Sequence, residues 1–218
     1  MSTRDTEKID VPTDEPLAET MHADLADVAI VPDDPADLDH NLRTEIDLLV
    51  ALAWAPQQIT DAVVEALVGT LTERAGGHAT DRIPATSPLF LKATHQLIWE
   101  AIVELADIGT PTTPTLIAAH LTSAVRSDGL TRALVELASP TGRPPGGGGH
   151  DAPYLAAAVI DQWYERGYRA MAARLSTVVA PRSGTRREEY AQHWADLTIH
   201  QQAAAARWTS IHTALAAI

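Results

Sequence analysis

A chain of 218 residues with 45% hydrophobic content is long enough for one domain core, or one and a half. It holds no cysteine, which excludes disulfides and thiolate chemistry and fits a cytosolic protein. The net charge of −13 argues against a uniformly basic nucleic-acid surface, and it is uneven, since twelve of the 29 acidic residues but only two of the 16 basic ones fall in residues 1–40.

Residues 1–40 carry Pro12, Pro16, Pro32 and Pro35 among those acids, with short apolar patches such as Leu25, Val28 and Ile30. Such a segment buries too little surface to offset its ordering entropy, so an acidic disordered leader is expected there. Helices follow. Ala is abundant and strand-like alternation is nearly absent, and Ala loses no side-chain entropy in a helix. Asn41 is placed to cap a first helix in which Glu45, Ile46, Leu48, Leu49 and Leu52 keep the 3.6 period, and Pro56 ends it. A second helix is expected over about 57–68. Residues 76–88 read as a loop, and a third helix is expected over 88–108, stopped by Gly109. Thr113-Pro114 opens a fourth helix ending near Ser127, because Thr accepts an orphan N–H and Pro loses nothing at the first position. A short fifth is expected over 130–138. These make a helical bundle over 41–140.

Pro144-Pro145 and four glycines, Gly146 to Gly149, make 141–152 a linker. Beyond it, 153–180 and 186–217 are each expected to be one long helix. The class is therefore all-α: a compact multi-helix bundle followed by a long antiparallel helical hairpin over 153–218. The hairpin holds more apolar surface than two helices can hide, including Trp163, Tyr164, Met171, Trp194, Leu197, Ile199 and Trp208. A surplus of that kind marks a partner surface.

The front half also carries an ordered set of landmarks. Glu45-Ile-Asp-Leu-Leu49-Val50-Ala-Leu52 is followed by Phe90, His95 and Ile98, then by Gly109, Pro111 and Thr113, and then by Leu130, Leu134 and Leu137. Tyr154 and the 166–169 region with Arg166 and Arg169 extend it. With its spacing, this set resembles the N-terminal domain of DnaB-type bacterial replicative helicases over about 41–175. Val50 stands where the family has Gly, and Thr113 where it has Asp; Thr and Asp both cap helices. Residues 70–89 are longer than the family pattern, and the Gly-rich linker departs from it. The resemblance implies a helical, non-catalytic domain that assembles into a collar through paired hairpins and contacts primase and helicase loaders. No Gly-x-x-x-x-Gly-Lys-Ser/Thr occurs in the chain, so the phosphate-cradling loop of the motor is absent.

No nucleophile elbow is present. His95 lies between core positions and is expected to be a structural hydrogen-bonding group. His193 and His200 are spaced i,i+7, which does not suit a metal site. Glu188 and Glu189 sit where a helix begins and favour its dipole. Neither catalytic residues, nor a cofactor, nor a metal is expected. The expected partner surface comprises Trp163, Tyr164, Arg166, Arg169, Arg174, Arg187 and Trp194, with the arginines forming a basic cluster together with Arg182 and Arg186. The expected role is a replication accessory or scaffold that forms homo-oligomers and binds replicative helicase, primase or loader, with nucleic-acid contact only weak. The alternative is a DNA-binding helix-turn-helix over 112–138, whose second helix offers Arg132 as its one base-reading group. No apolar run approaches the roughly 20 residues of a membrane span, and the N-terminus is acidic where a signal peptide is basic. The expected location is cytoplasmic.

Overall fold

The structure, a computed structural model, describes residues 35–69, 88–122, 127–139, 149–179 and 187–218. The described residues form seven helices and no strand: α1 Pro35–Trp54, α2 Gln57–Val68, α3 Ala93–Asp107, α4 Pro114–Thr122, α5 Asp128–Ala138, α6 Ala152–Val179 and α7 Arg187–Leu215. The all-α class and the compact bundle stand.

Several ends differ from the local signals. Helix α1 begins at Pro35 rather than at Asn41, so residues 35–40 of the expected leader are helical. Proline fits a first turn, whose N–H has no partner in any case, and Asp37 there meets the positive end of the dipole. Residues 1–34 lie outside the described residues, as do most of the 76–88 loop and residues 141–148 of the linker. Helix α4 is described to Thr122, with 123–126 beyond it, and Thr113 Oγ1 accepts from Leu116 N–H at 3.4 Å. Helix α5 starts two residues early because Ser127 caps it, accepting from Leu130 N–H at 3.1 Å. Gly109 ends α3 with φ +66, and Thr110 N–H donates back to Leu105 O at 2.8 Å.

One hydrophobic core runs through the molecule. It takes Leu48, Leu49 and Leu52 from α1, Val64 and Leu67 from α2, Ile98, Trp99 and Ile102 from α3, Ile117 from α4, Leu130 and Leu137 from α5, Val159 and Ile160 from α6, and Ile211 and Leu215 from α7. Helix α3 sits among α1, α2, α4 and α5. Its buried residues therefore spread around much of its circumference and include Trp99 and Val103 as well as Ile98, Ala101, Ile102 and Leu105. Phe90 packs on Trp99 with centroids 5.8 Å apart.

Polar ties at helix ends hold the bundle together. Thr60 Oγ1 donates to Leu52 O at 3.0 Å, satisfying an orphan carbonyl of α1 across the Pro56 corner. Trp54 Nε1 donates to Leu137 O at 3.0 Å at the end of α5. Gln57 Oε1 accepts from Thr112 N–H at 3.2 Å.

The end of the expected linker is packed. Gly149, at φ +74, lies so close to α1 that an added Cβ would fall 2.2 Å from Ala55 Cβ and 2.9 Å from Ala51 O. Gly149→Ala is therefore expected to cost about 1–3 kcal/mol from backbone strain and overpacking together. Chemical denaturation measures it; a loss within about 0.5 kcal/mol, the range of an ordinary surface change, would refute the close approach.

Candidate functional site

Helix α3 has no side-chain cap of its own, for Lys92 at its N-cap makes no such bond. The two N–H groups just before it, those of Leu91 and Lys92, are satisfied from α1. Glu45, 0% exposed, accepts from Leu91 N–H, from Lys92 N–H at 3.4 Å and from His95 Nδ1 at 2.9 Å. A carboxylate can only accept, so Nδ1 carries the proton. The anion also faces the positive end of the α3 dipole. One turn along, Gln96 Oε1 accepts from Leu89 and Phe90 N–H at 3.0 and 3.1 Å. Residues 89–92 thus spend their N–H groups on side chains. Helix α3 begins at Ala93 rather than at Pro88.

Arg166 of α6 completes the centre. Its Nη2 donates to Leu89 O at 2.6 Å, and its charge is attracted to Glu45. Burial pushes the guanidinium below its ordinary pKa, and Glu45 opposes that shift. Arg166 Nη1 is buried with no partner among the described residues. His95 is 3% exposed. An acid and an imidazole closed off in this way have no face for a substrate, and the centre suits a structural role. Glu45, Phe90, His95 and Arg166, landmarks spread over 120 residues of sequence, converge here.

The other candidate is the α6–α7 pair. Asp161 Oδ1 accepts from Trp208 Nε1 at 2.7 Å and from His212 Nε2 at 3.0 Å. The Trp208 ring lies 4.3 Å from that of His212 and 6.1 Å from that of Tyr164. The Arg207 guanidinium sits 4.5 Å over the Trp163 ring. Burial lowers Arg207 to about 10, which leaves it charged at neutral pH and able to hold the ring by cation–π attraction. Farther along α6 Ala170 is still buried, and toward the start of α7 no described residue joins the core. There a shallow groove is lined by Tyr168, Met171, Ala172, Trp194, Leu197 and Thr198. Tyr168 is 57%, Trp194 64% and the nearby Ile199 55% exposed.

The expected partner residues therefore separate. Trp194 is on the surface. Trp163 and Tyr164 are half-buried in the α6–α7 seam. Arg166 is corrected from a partner contact to an internal donor, because its helical position turns it toward α1 and α3, where Leu89 O and Glu45 hold it. Arg169 is exposed but pairs with Glu165 at 2.6 Å, an acid one turn earlier that offsets the basic cluster; such an exposed pair contributes little. The side chains of Arg174 and Arg187, and residues Arg182 and Arg186, lie outside the described residues. Sequence reasoning missed Tyr168, although its i,i+4 spacing from Tyr164 pointed to it. It also missed Glu45 as the acceptor for His95.

Among the described residues no group of three or more His, Asp or Glu is placed to hold a metal ion, and no helix is long and apolar enough to cross a membrane. Comparison with models of known protein families, with curated proteins and with solved structures returned no match.

Proposed function

We propose that this chain is a non-catalytic accessory or scaffold of DNA replication. It is built like the collar of a replicative helicase without the motor. It acts by self-association through an antiparallel hairpin of α6 and α7 and by binding helicase, primase or loader. The observation that carries this reading is the groove with the exposed rings of Tyr168 and Trp194, at a part of the α6–α7 pair where the described residues of α7 lend none to the core. An apolar groove with exposed aromatic rings suits a protein interface. The meeting of Glu45, Phe90, His95 and Arg166 at one centre supports the resemblance, since landmarks of a shared fold should touch.

Sedimentation equilibrium of the full chain at micromolar concentration is the test. The wild-type chain should sediment above its monomer mass, and Trp194→Asp should shift the mass downward while the helical signal persists. A strict monomer would overturn self-association. Salt-sensitive duplex binding by that monomer would favour the helix-turn-helix alternative on α4–α5, where Arg132 is exposed.

A further inference from the structure

Helix α1 runs antiparallel to α6. Near its end Ala51 and Ala55 meet Gly149, just before α6 begins, and near its start Asp37, His40 and Asn41 share a pocket with Asp161, Glu165 and Arg169. The chain therefore enters α1 at Pro35 close to Arg169. The neighbours of Arg169 on α6, namely Tyr168, Met171 and Ala172, form one wall of the groove whose other wall is Trp194, Leu197, Thr198 and Gln201 of α7. Residues 1–34 precede α1 and lie outside the described residues, and their sequence suits that groove. Between Pro16 and Pro32, Leu17, Met21, Leu25 and Val28 recur at i, i+4, i+8 and i+11. That is one apolar stripe at the helical period, with Glu19 and Asp27 on the other side. Proline suits the first turn of a helix and stops one that reaches it. Val28 stands seven residues before Pro35, a reach of up to roughly 23–25 Å. A helix over 17–30 is about 21 Å long, and the α7 wall from Trp194 to Gln201 is about 10 Å. The charges agree as well. Residues 1–34 hold ten acids against Arg4 and Lys8, whereas residues 174–187, between the two walls in the chain, hold four arginines and no acid.

We propose that residues 17–30 fold back as an amphipathic helix into the groove of their own chain, so that the acidic leader competes with a second copy for it. The inference rests on the reading of this groove as the self-association surface. A segment of this composition orders on docking, so the cover is reversible and sets how tightly the chain self-associates.

The chain has no cysteine, so Ala23→Cys, off the apolar stripe, and Gln202→Cys, exposed on α7 next to Gln201, take two spin labels. Labelled chain diluted into an excess of unlabelled full chain reports distances within one molecule. Pulsed electron resonance should give one narrow distance. Leu25→Asp with Val28→Asp should replace it with a broad distribution, and so should Trp194→Asp. A broad distribution in the chain whose stripe is intact overturns the proposal. Sedimentation of the unlabelled full chain reads the competition. A groove covered about nine-tenths of the time associates about tenfold more weakly than a free one, so Leu25→Asp with Val28→Asp should tighten self-association by about tenfold or more. A narrow distance with self-association unchanged by that pair also overturns the proposal. A narrow distance with a strict monomer in both chains supports the leader as the occupant of the groove and sinks only the self-association reading.

Discussion

Replacing Glu45 with alanine should be the most damaging single change in the described residues. The carboxylate accepts from two backbone N–H groups at the start of α3 and from His95, and it faces the buried Arg166 charge. Removing it strands three donors, of which the His95 ring is buried, and leaves the Arg166 charge without its counter-charge. Breaking a buried charge pair typically costs about 3–5 kcal/mol, because the surviving charge is left uncompensated. Total stability for a domain is only about 5–15 kcal/mol, so Glu45→Ala should bring the chain near its unfolding threshold. Urea denaturation monitored by circular dichroism measures this. A loss under about 1 kcal/mol, the worth of one ordinary hydrogen bond, would mean that α3 is capped by something else.

Ile98→Ala should be the next most severe, costing about 2–5 kcal/mol through lost transfer energy and the cavity left behind. Ile98 is 0% exposed on the helix packed among α1, α2, α4 and α5, so its surroundings have little freedom to collapse. His95→Gln in the same helix should be milder, at about 1–2 kcal/mol, because an amide N–H can still donate to Glu45. Partner binding should survive His95→Gln while the fold persists. A variant of normal stability that has lost its complex would make His95 a functional residue and overturn its structural assignment.

Docked on this frame, the α6–α7 pair divides into two stretches. From Trp208 onward, α7 contributes Ile211 and Leu215 to the core, and Asp161 fastens Trp208 and His212. Toward Trp194 it contributes none among the described residues. A partner site on the second stretch can thus be altered by substitution at Trp194 without disturbing the first. This separation makes the sedimentation test a clean one.

What the sequence by itself determined was local. The helical class, most of the helix order and the caps at Thr113 and Gly109 follow from interactions spanning a few residues: the 3.6 period, proline's missing donor and glycine's tolerance of positive φ. The buried stripe of Ile98, Ala101, Ile102 and Leu105 was legible for the same reason. Only the tertiary structure decided which polar groups would meet. That the segment entering α3 is held down depends on Glu45, 46 residues before Leu91. That Arg166 points inward depends on Leu89, 77 residues before it. That Trp163 is covered while Trp194 is not depends on where Arg207 falls across the α6–α7 seam. Periodicity assigns a residue to a face of its own helix. What covers that face is fixed by packing between segments far apart in the chain, and no local pattern encodes it.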